Sequence, residues 1–397
     1  MAIYLFLFLF FALFGHLGFD LVNQVILWVI GPVITLYILE PNLGRLHTLP
    51  GEYWLYISLF VFSLVGYINV TEPVGYFRYL QTLVANFVMM VVIYYSVNSV
   101  REWRLLWGII SFVGLLICLI GFVMDVPTQQ NSDYFRLSGI IGNSNGLATF
   151  ARISILGFLL LLQFVTKRIY RIAYIIAIIF LAYAILLTAS RGNFGNLLFI
   201  LGGYLVIQYF RGWKILILFL IIFVFGGLLL SYGEEFLKGF YLFDRLTRND
   251  SVETALEQES RAKLYALAWQ TFLDHPFLGV GLNQFRMFSD GKASHTDILD
   301  ILVQLGIFAG MVYTTIYVKL FFRIRKLAKR TFNLLDVKIY RLLLIVLFSE
   351  IGYGLSNPNW FTQVDMFVLS LLIVYTTKIR TTAPKIYIPQ KKMSFAR

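Results

Sequence analysis

The chain has 397 residues, of which 59% are hydrophobic and 14% charged, with a mean hydropathy of +0.77. A soluble domain carries about 25% charged residues, so there is too little polar surface here to cover a water-facing globule, and lipid must solvate most side chains. The net charge of +12 would raise nucleic acid as a partner in a soluble protein. Here the basic residues fall where membrane topology needs them, and nucleic acid is not expected.

The apolar runs predict an all-α fold, a polytopic membrane helix bundle of about twelve spans. In chain order they are Ala2–Leu17, Leu21–Leu39, Tyr53–Val70, Tyr76–Val97, Trp103–Met124, Ile140–Val165, Ile169–Thr188, Phe194–Phe210, Ile215–Tyr232, Thr296–Phe322, Ile339–Leu355 and Thr362–Thr377. The first run lacks a basic flank and a small-residue cleavage site, so it reads as a retained span rather than a signal peptide. Cys118 is the only cysteine, which excludes an intrachain disulfide or a cysteine-based metal site.

Basic loops stay cytoplasmic. Arg101 and Arg104, Lys167 to Arg171, Arg211 and Lys214, Arg323 to Arg341 and the tail 378–397 all fall on one face of a twelve-span arrangement. Both termini are therefore expected in the cytoplasm, with 1–397 forming a single integral membrane domain. The opposite face then carries 125–139 and the long hydrophilic loop 233–294, which holds seven Lys/Arg and nine Asp/Glu. A long external loop is where function is expected. Within it, Leu264, Leu267, Ala268 and Phe272 recur at helical spacing, predicting a helix over Ser251–Asp274 that Pro276 stops. Glu257 and Glu259 precede Arg261 and Lys263 by four residues, a spacing worth about 0.2–0.5 kcal/mol per pair.

Several charges escape the topology explanation. Arg152 and Glu350 both lie deep in their spans, where an ionised side chain costs about 2.5–3.5 kcal/mol. They read either as a structural ion pair or as functional intramembrane residues. Arg191 sits in a tight turn, Ala189-Ser190-Arg191-Gly192, at the outer surface. An arginine there can simply snorkel, yet the adjoining small residues and the Ser190 hydroxyl would let a ligand approach closely. Ser294, with Asp297 three residues on, resembles a capping box that starts the tenth span. His295 beside it is either an interfacial histidine or a candidate general base. Asp297, Asp300 and Gln304 share one face of that span and could support it.

Taken together, these segments resemble a family. Thr188-Ala189-Ser190-Arg191-Gly192 is followed by Ser260-Arg261, Trp269, His275-Pro276-Phe277-Leu278-Gly279-Val280-Gly281, Ser294-His295 and Val303-Gln304-Leu305-Gly306. Their order and placement resemble the O-antigen ligase and O-antigen polymerase superfamily of bacterial envelope glycosyltransferases. Arg136 with Gly142-Asn143-Ser144-Asn145-Gly146 is similar to a further block of that family. Two positions depart from its pattern, Thr296 after the histidine and Gln304 before Leu305-Gly306.

The resemblance implies a glycosyltransferase of the bacterial cytoplasmic membrane. It would need neither metal nor other cofactor, and its substrates would be undecaprenyl-diphosphate-linked glycans. His295 would take the proton of the acceptor hydroxyl. Arg191, Arg261 and Arg136 would hold the diphosphate, with Ser190, Asn145, Asp297, Arg152 and Glu350 in support. A polymerase of surface-polysaccharide repeat units would work beside a flippase and a chain-length regulator. A ligase passing a finished glycan to a lipid or protein is the alternative, and the sequence does not choose between them. A small-solute or inorganic-carbon transporter is a reading of another class, but the inverted repeat common in transporters is not evident.

Overall fold

The computed structural model describes residues 44, 47–124, 137–138, 143–209, 252–358, 360 and 362–379. Helices and short turns account for all the regular structure among them. They are α1 (Gly51–Val65, continued by a 3-10 turn at Gly66–Asn69), α2 (Pro73–Ser96), α3 (Val100–Met124), α4 (Ser144–Leu161), α5 (Arg168–Leu187) and α6 (Arg191–Tyr209). They continue with α7 (Val252–Asp274), the single turn α8 (Phe285–Phe288), α9 (Asp297–Arg330), α10 (Leu334–Gly354) and α11 (Gln363–Val374), which ends in a π turn at Tyr375–Ile379.

Among the described residues six helices are long and apolar enough to cross a membrane: α1 with its 3-10 turn, α2, α3, α4, α5 and α9. Six such helices make the chain an integral membrane protein. α6, α10 and α11 fall on three further expected spans. α10 carries Asp336, Lys338, Arg341 and Glu350 and so reads as less apolar. The expected spans Ala2–Leu17, Leu21–Leu39 and Ile215–Tyr232 lie outside the described residues, so the count of twelve stays an expectation.

Local chemistry sets the helix starts. Pro73 opens α2, and the Glu72 carboxylate accepts from Gly75 N at 2.7 Å. Asn143 caps α4 through Asn145 N at 3.0 Å, and Asn333 caps α10 through Leu335 N at 3.0 Å. α4 is buried nearly all round, as expected of a helix at the centre of a bundle. It crosses α3 closely, because Gly114 faces Ser154 and Gly157 faces Ser111 and Trp107; small residues let membrane helices approach in this way. α5 lies outside, with Ile172, Ile176 and Ile179 exposed as a lipid-facing surface would be.

The helix ends form two faces. On one, the buried Glu52 carboxylate meets Arg323 at 2.7 Å and so ties α1 to α9, while Lys378 Nζ donates to the Tyr94 carbonyl at 2.6 Å. The other carries the turns between α1 and α2, α5 and α6, and α10 and α11, together with the segment from α7 to α9. That second face carries the site.

Candidate functional site

The residues between Pro276 and Gly306 form a backbone clasp. α9 is not continuous: Gly306 has φ 80° and ψ −177°, which breaks the helix one third of the way along. A break strands carbonyls before it and amides after it, and each needs a partner inside a membrane. The loop after α7 supplies them. Val280 N donates to Val303 O at 2.8 Å, Gly281 N to Gln304 O at 3.0 Å, and Ile307 N to Pro276 O at 2.8 Å. The approach is so close that a Cβ on Gly306 would overlap the Phe277 carbonyl, and one on Gly279 would overlap the backbone at Val303 and Gln304. The two motifs His275–Gly281 and Val303–Gly306 are thus the two halves of one joint.

The clasp is anchored further. Asn69 Nδ2 donates to Gly279 O at 2.7 Å. Gln284 Oε1 accepts from Thr71 N and Glu72 N at 3.0 and 2.8 Å, and Gln304 Oε1 accepts from Asn283 N at 2.6 Å. α7 packs its Ala268 and Phe272 against Val280, Phe285 and Val303. The amphipathic helix expected over Ser251–Asp274 is therefore present as Val252–Asp274 and buries the expected face.

His295 precedes the first residue of α9 by two positions and has a left-handed backbone, φ 64°. This corrects the capping expectation. Thr296 is the cap and accepts from Leu299 N at 3.2 Å, whereas the Ser294 hydroxyl donates to Asp300 Oδ1 at 3.0 Å. His295 is half-buried. Burial first, then the positive charges of Arg261 and Lys292, push its imidazole below the usual pKa. Arg261, on the exposed side of α7, is therefore within electrostatic reach of the histidine. The Glu257 side chain, its expected partner one turn earlier, lies outside the described residues.

Asp297 and Asp300 brace the loop between α10 and α11. Asp297 accepts from Trp360 N at 3.0 Å and from the Tyr313 hydroxyl at 2.7 Å. Asp300 accepts from Trp360 Nε1 at 2.8 Å and from Gln304 Nε2 at 2.6 Å. The same loop reaches Arg191. α6 starts at Arg191 after a left-handed Ala189 (φ 53°) and Ser190, and Gly192 packs directly on Ser356. Arg191 is partly buried, with its Nε and Nη2 shielded from solvent. The Ser190 hydroxyl accepts from Asn193 Nδ2 at 3.1 Å, and the Asn145 carbonyl accepts from the same amide at 3.5 Å. Through Ser356 and Trp360 the segment after α10 thus links the start of α6 to the start of α9, and Arg191, Ser190, Asn145, Asp297, His295 and Arg261 share one face.

Below this face lies a buried charge cluster. Arg152, fully buried, meets Glu350 through two contacts of 2.9 and 3.2 Å, Asp365 at 3.2 Å and the Ser349 hydroxyl at 2.9 Å. Its guanidinium stacks 4.6 Å from the centre of the Tyr353 ring. The Tyr353 hydroxyl meets Thr149 Oγ1 at 2.7 Å, and Thr149 donates on to the Asn145 carbonyl at 2.8 Å. Polar contacts therefore run from the surface turn at Asn145 down to the charges. Arg136 lies outside the described residues.

Residues 175–314, about a third of the chain, match a family model described as O-antigen ligase. The chain carries a domain of the O-antigen ligase/polymerase superfamily. A comparison with curated proteins finds no match. The O-antigen ligase domain begins inside α5, so it holds Arg191, Arg261 and His295. The block around Arg136 and Asn145, together with Arg152 and Glu350, falls outside it. Within and around this domain, sequence reasoning missed Trp360, Asp365 and Lys292. Asp365 and Lys292 offered only an isolated charge near a helix start. Trp360 offered no signal, because its two carboxylate partners lie about sixty positions away.

Proposed function

We propose that this O-antigen ligase domain is a membrane glycosyltransferase that extends a surface polysaccharide on the outer face of the cytoplasmic membrane, using a glycan carried on undecaprenyl diphosphate. In the transfer, the imidazole of His295 takes the proton from an acceptor sugar hydroxyl. The freed oxygen attacks the anomeric carbon of the donor and forms the new glycosidic bond. The old bond to the diphosphate breaks with its electron pair, and one displacement inverts the anomeric centre. The charge that grows on the diphosphate is met by Arg191 and Arg261, whose planar guanidiniums bind phosphate oxygens as forks and stay charged. Arg136 is assigned the same task from its sequence block alone. No step in this scheme requires a metal.

The observation that carries the reading is that His295 lies on the same face as Arg191 and within electrostatic reach of Arg261. A general base must be neutral to accept a proton, and burial first, then the same cation that would bind the diphosphate, hold the imidazole below its usual pKa. The outer-face assignment rests on the basic residues Arg104, Lys167, Arg168 and Arg323, which lie at the helix ends opposite Arg191 and His295. Transfer of a finished glycan would use the same groups with a different acceptor, and the description of the matched family favours that as the second reading.

Arg191→Ala and Arg261→Ala are each expected to lower chain extension by roughly 10²–10³-fold while the protein still inserts. Lysine at either position should rescue poorly, since a point charge does not reproduce a bidentate contact. Full extension by either alanine variant would remove that arginine from the site.

A further inference from the structure

A large cavity lined by described residues lies at the other end of the bundle from His295. It has a volume of about 1230 Å³ and opens between α4, α5, α6 and α10, enough to hold a drug-sized molecule. Its wall is apolar, formed by Leu159, Ile175, Ile178, Leu201 and Leu205. Ile179, also on the wall, is more than half exposed, so the cleft is open on the α5 side.

One end of it is basic. Arg171 from α5 and Lys338 and Arg341 from α10 line it together. None of the three has a carboxylate at ion-pair distance among the described residues. Their hydrogen bonds leave donors to spare. Arg171 Nη2 donates to the Val165 carbonyl at 3.3 Å. Lys338 Nζ donates to Gln208 Oε1 at 2.8 Å, and Gln208 Nε2 donates to Gln163 Oε1 at 2.5 Å. Three cations on the lining of one cleft repel one another, Arg171 and Arg341 exposed and Lys338 partly buried, and an anion relieves that repulsion. Basic pockets between membrane helices bind anionic lipid headgroups in this way.

We propose that this cleft binds an anionic phospholipid, with the phosphodiester headgroup held by Arg171, Lys338 and Arg341 and the acyl chains laid along the apolar wall. The helix basicity that topology alone accounts for thereby gains a ligand. The site is separate from the transfer chemistry: α6 runs the length of the bundle between Arg191 at one end and Gln208 at the other.

The test uses the full chain purified in detergent and supplied with phosphatidylglycerol or with phosphatidylcholine of the same acyl chains, with bound lipid read by native mass spectrometry. The wild-type protein should retain phosphatidylglycerol in preference to phosphatidylcholine. Arg171→Ala, Lys338→Ala and Arg341→Ala should each reduce that preference by roughly five-fold. Leu205→Trp, which fills the wall and keeps every cation, should reduce retention of both lipids. Equal retention of the two lipids by the wild type would overturn the proposal without any variant. So would undiminished preference in the triple alanine variant, or displacement of the lipid by inorganic phosphate alone.

Discussion

Replacing Gly306 by alanine tests whether the broken helix builds the site. The backbone at φ 80° and ψ −177° lies in a region open essentially to glycine, and forcing another residue there costs about 1–3 kcal/mol. The added Cβ would also overlap the Phe277 carbonyl, so the loop must retreat. A retreat lengthens the bonds from Val280 N, Gly281 N and Ile307 N across the joint, and one buried group left unpaired costs about 1–3 kcal/mol more. The sum is about 2–6 kcal/mol, a large part of the stability of a typical domain. Thermal unfolding of the detergent-solubilised protein, followed by tryptophan fluorescence, should show a loss of several degrees, and glycan transfer should be lost with it. Gly202→Ala is the control, because a Cβ there meets nothing within 4 Å; it should melt as the wild type or slightly higher. An unchanged melting temperature and turnover in Gly306→Ala would refute the argument that this joint is tight and positions His295.

Two further outcomes follow from the charges. Lys292→Ala removes one of the cations that depress the His295 pKa, so the imidazole should protonate at higher pH and the acid limb of the activity profile should move up; an unmoved limb would separate Lys292 from the histidine. Arg152→Met leaves Glu350 and Asp365 buried without their cation and should cost about 3–5 kcal/mol, whereas Glu350→Gln, which keeps the Arg152–Asp365 pair, should cost less; the reverse order in thermal melts would contradict the cluster as described.

Hydropathy placed the described helices well, because an apolar run of sufficient length has few alternatives in lipid. The helix α7 was legible from Leu264, Leu267, Ala268 and Phe272, whose spacing marks a buried face whatever covers it. The pairing of Arg152 with Glu350 was legible because a deep charge demands a counter-charge. Its second partner, Asp365, was not, since a carboxylate near a helix start reads as a cap. The break at Gly306 was invisible for a different reason: hydropathy sums an apolar run without regard to backbone angles, and the groups that satisfy the break come from a loop about thirty residues upstream. The same holds for His295. Its neighbours in sequence, Ser294 and Asp297, bond elsewhere, and the charges that act on it come from α7 and the preceding loop.

The central claim is that His295 acts as the base while the arginines hold the donor. It is tested most directly by turnover of purified protein on lipid-diphosphate-linked repeat units, with donor binding measured in parallel and with chelator present or absent. His295→Ala should lower turnover strongly and leave donor binding nearly unchanged, because proton removal matters mainly in the transition state, and chelator should change neither. Wild-type turnover in His295→Ala would reduce the histidine to an interfacial residue, and turnover that chelator abolishes and metal restores would contradict the mechanism.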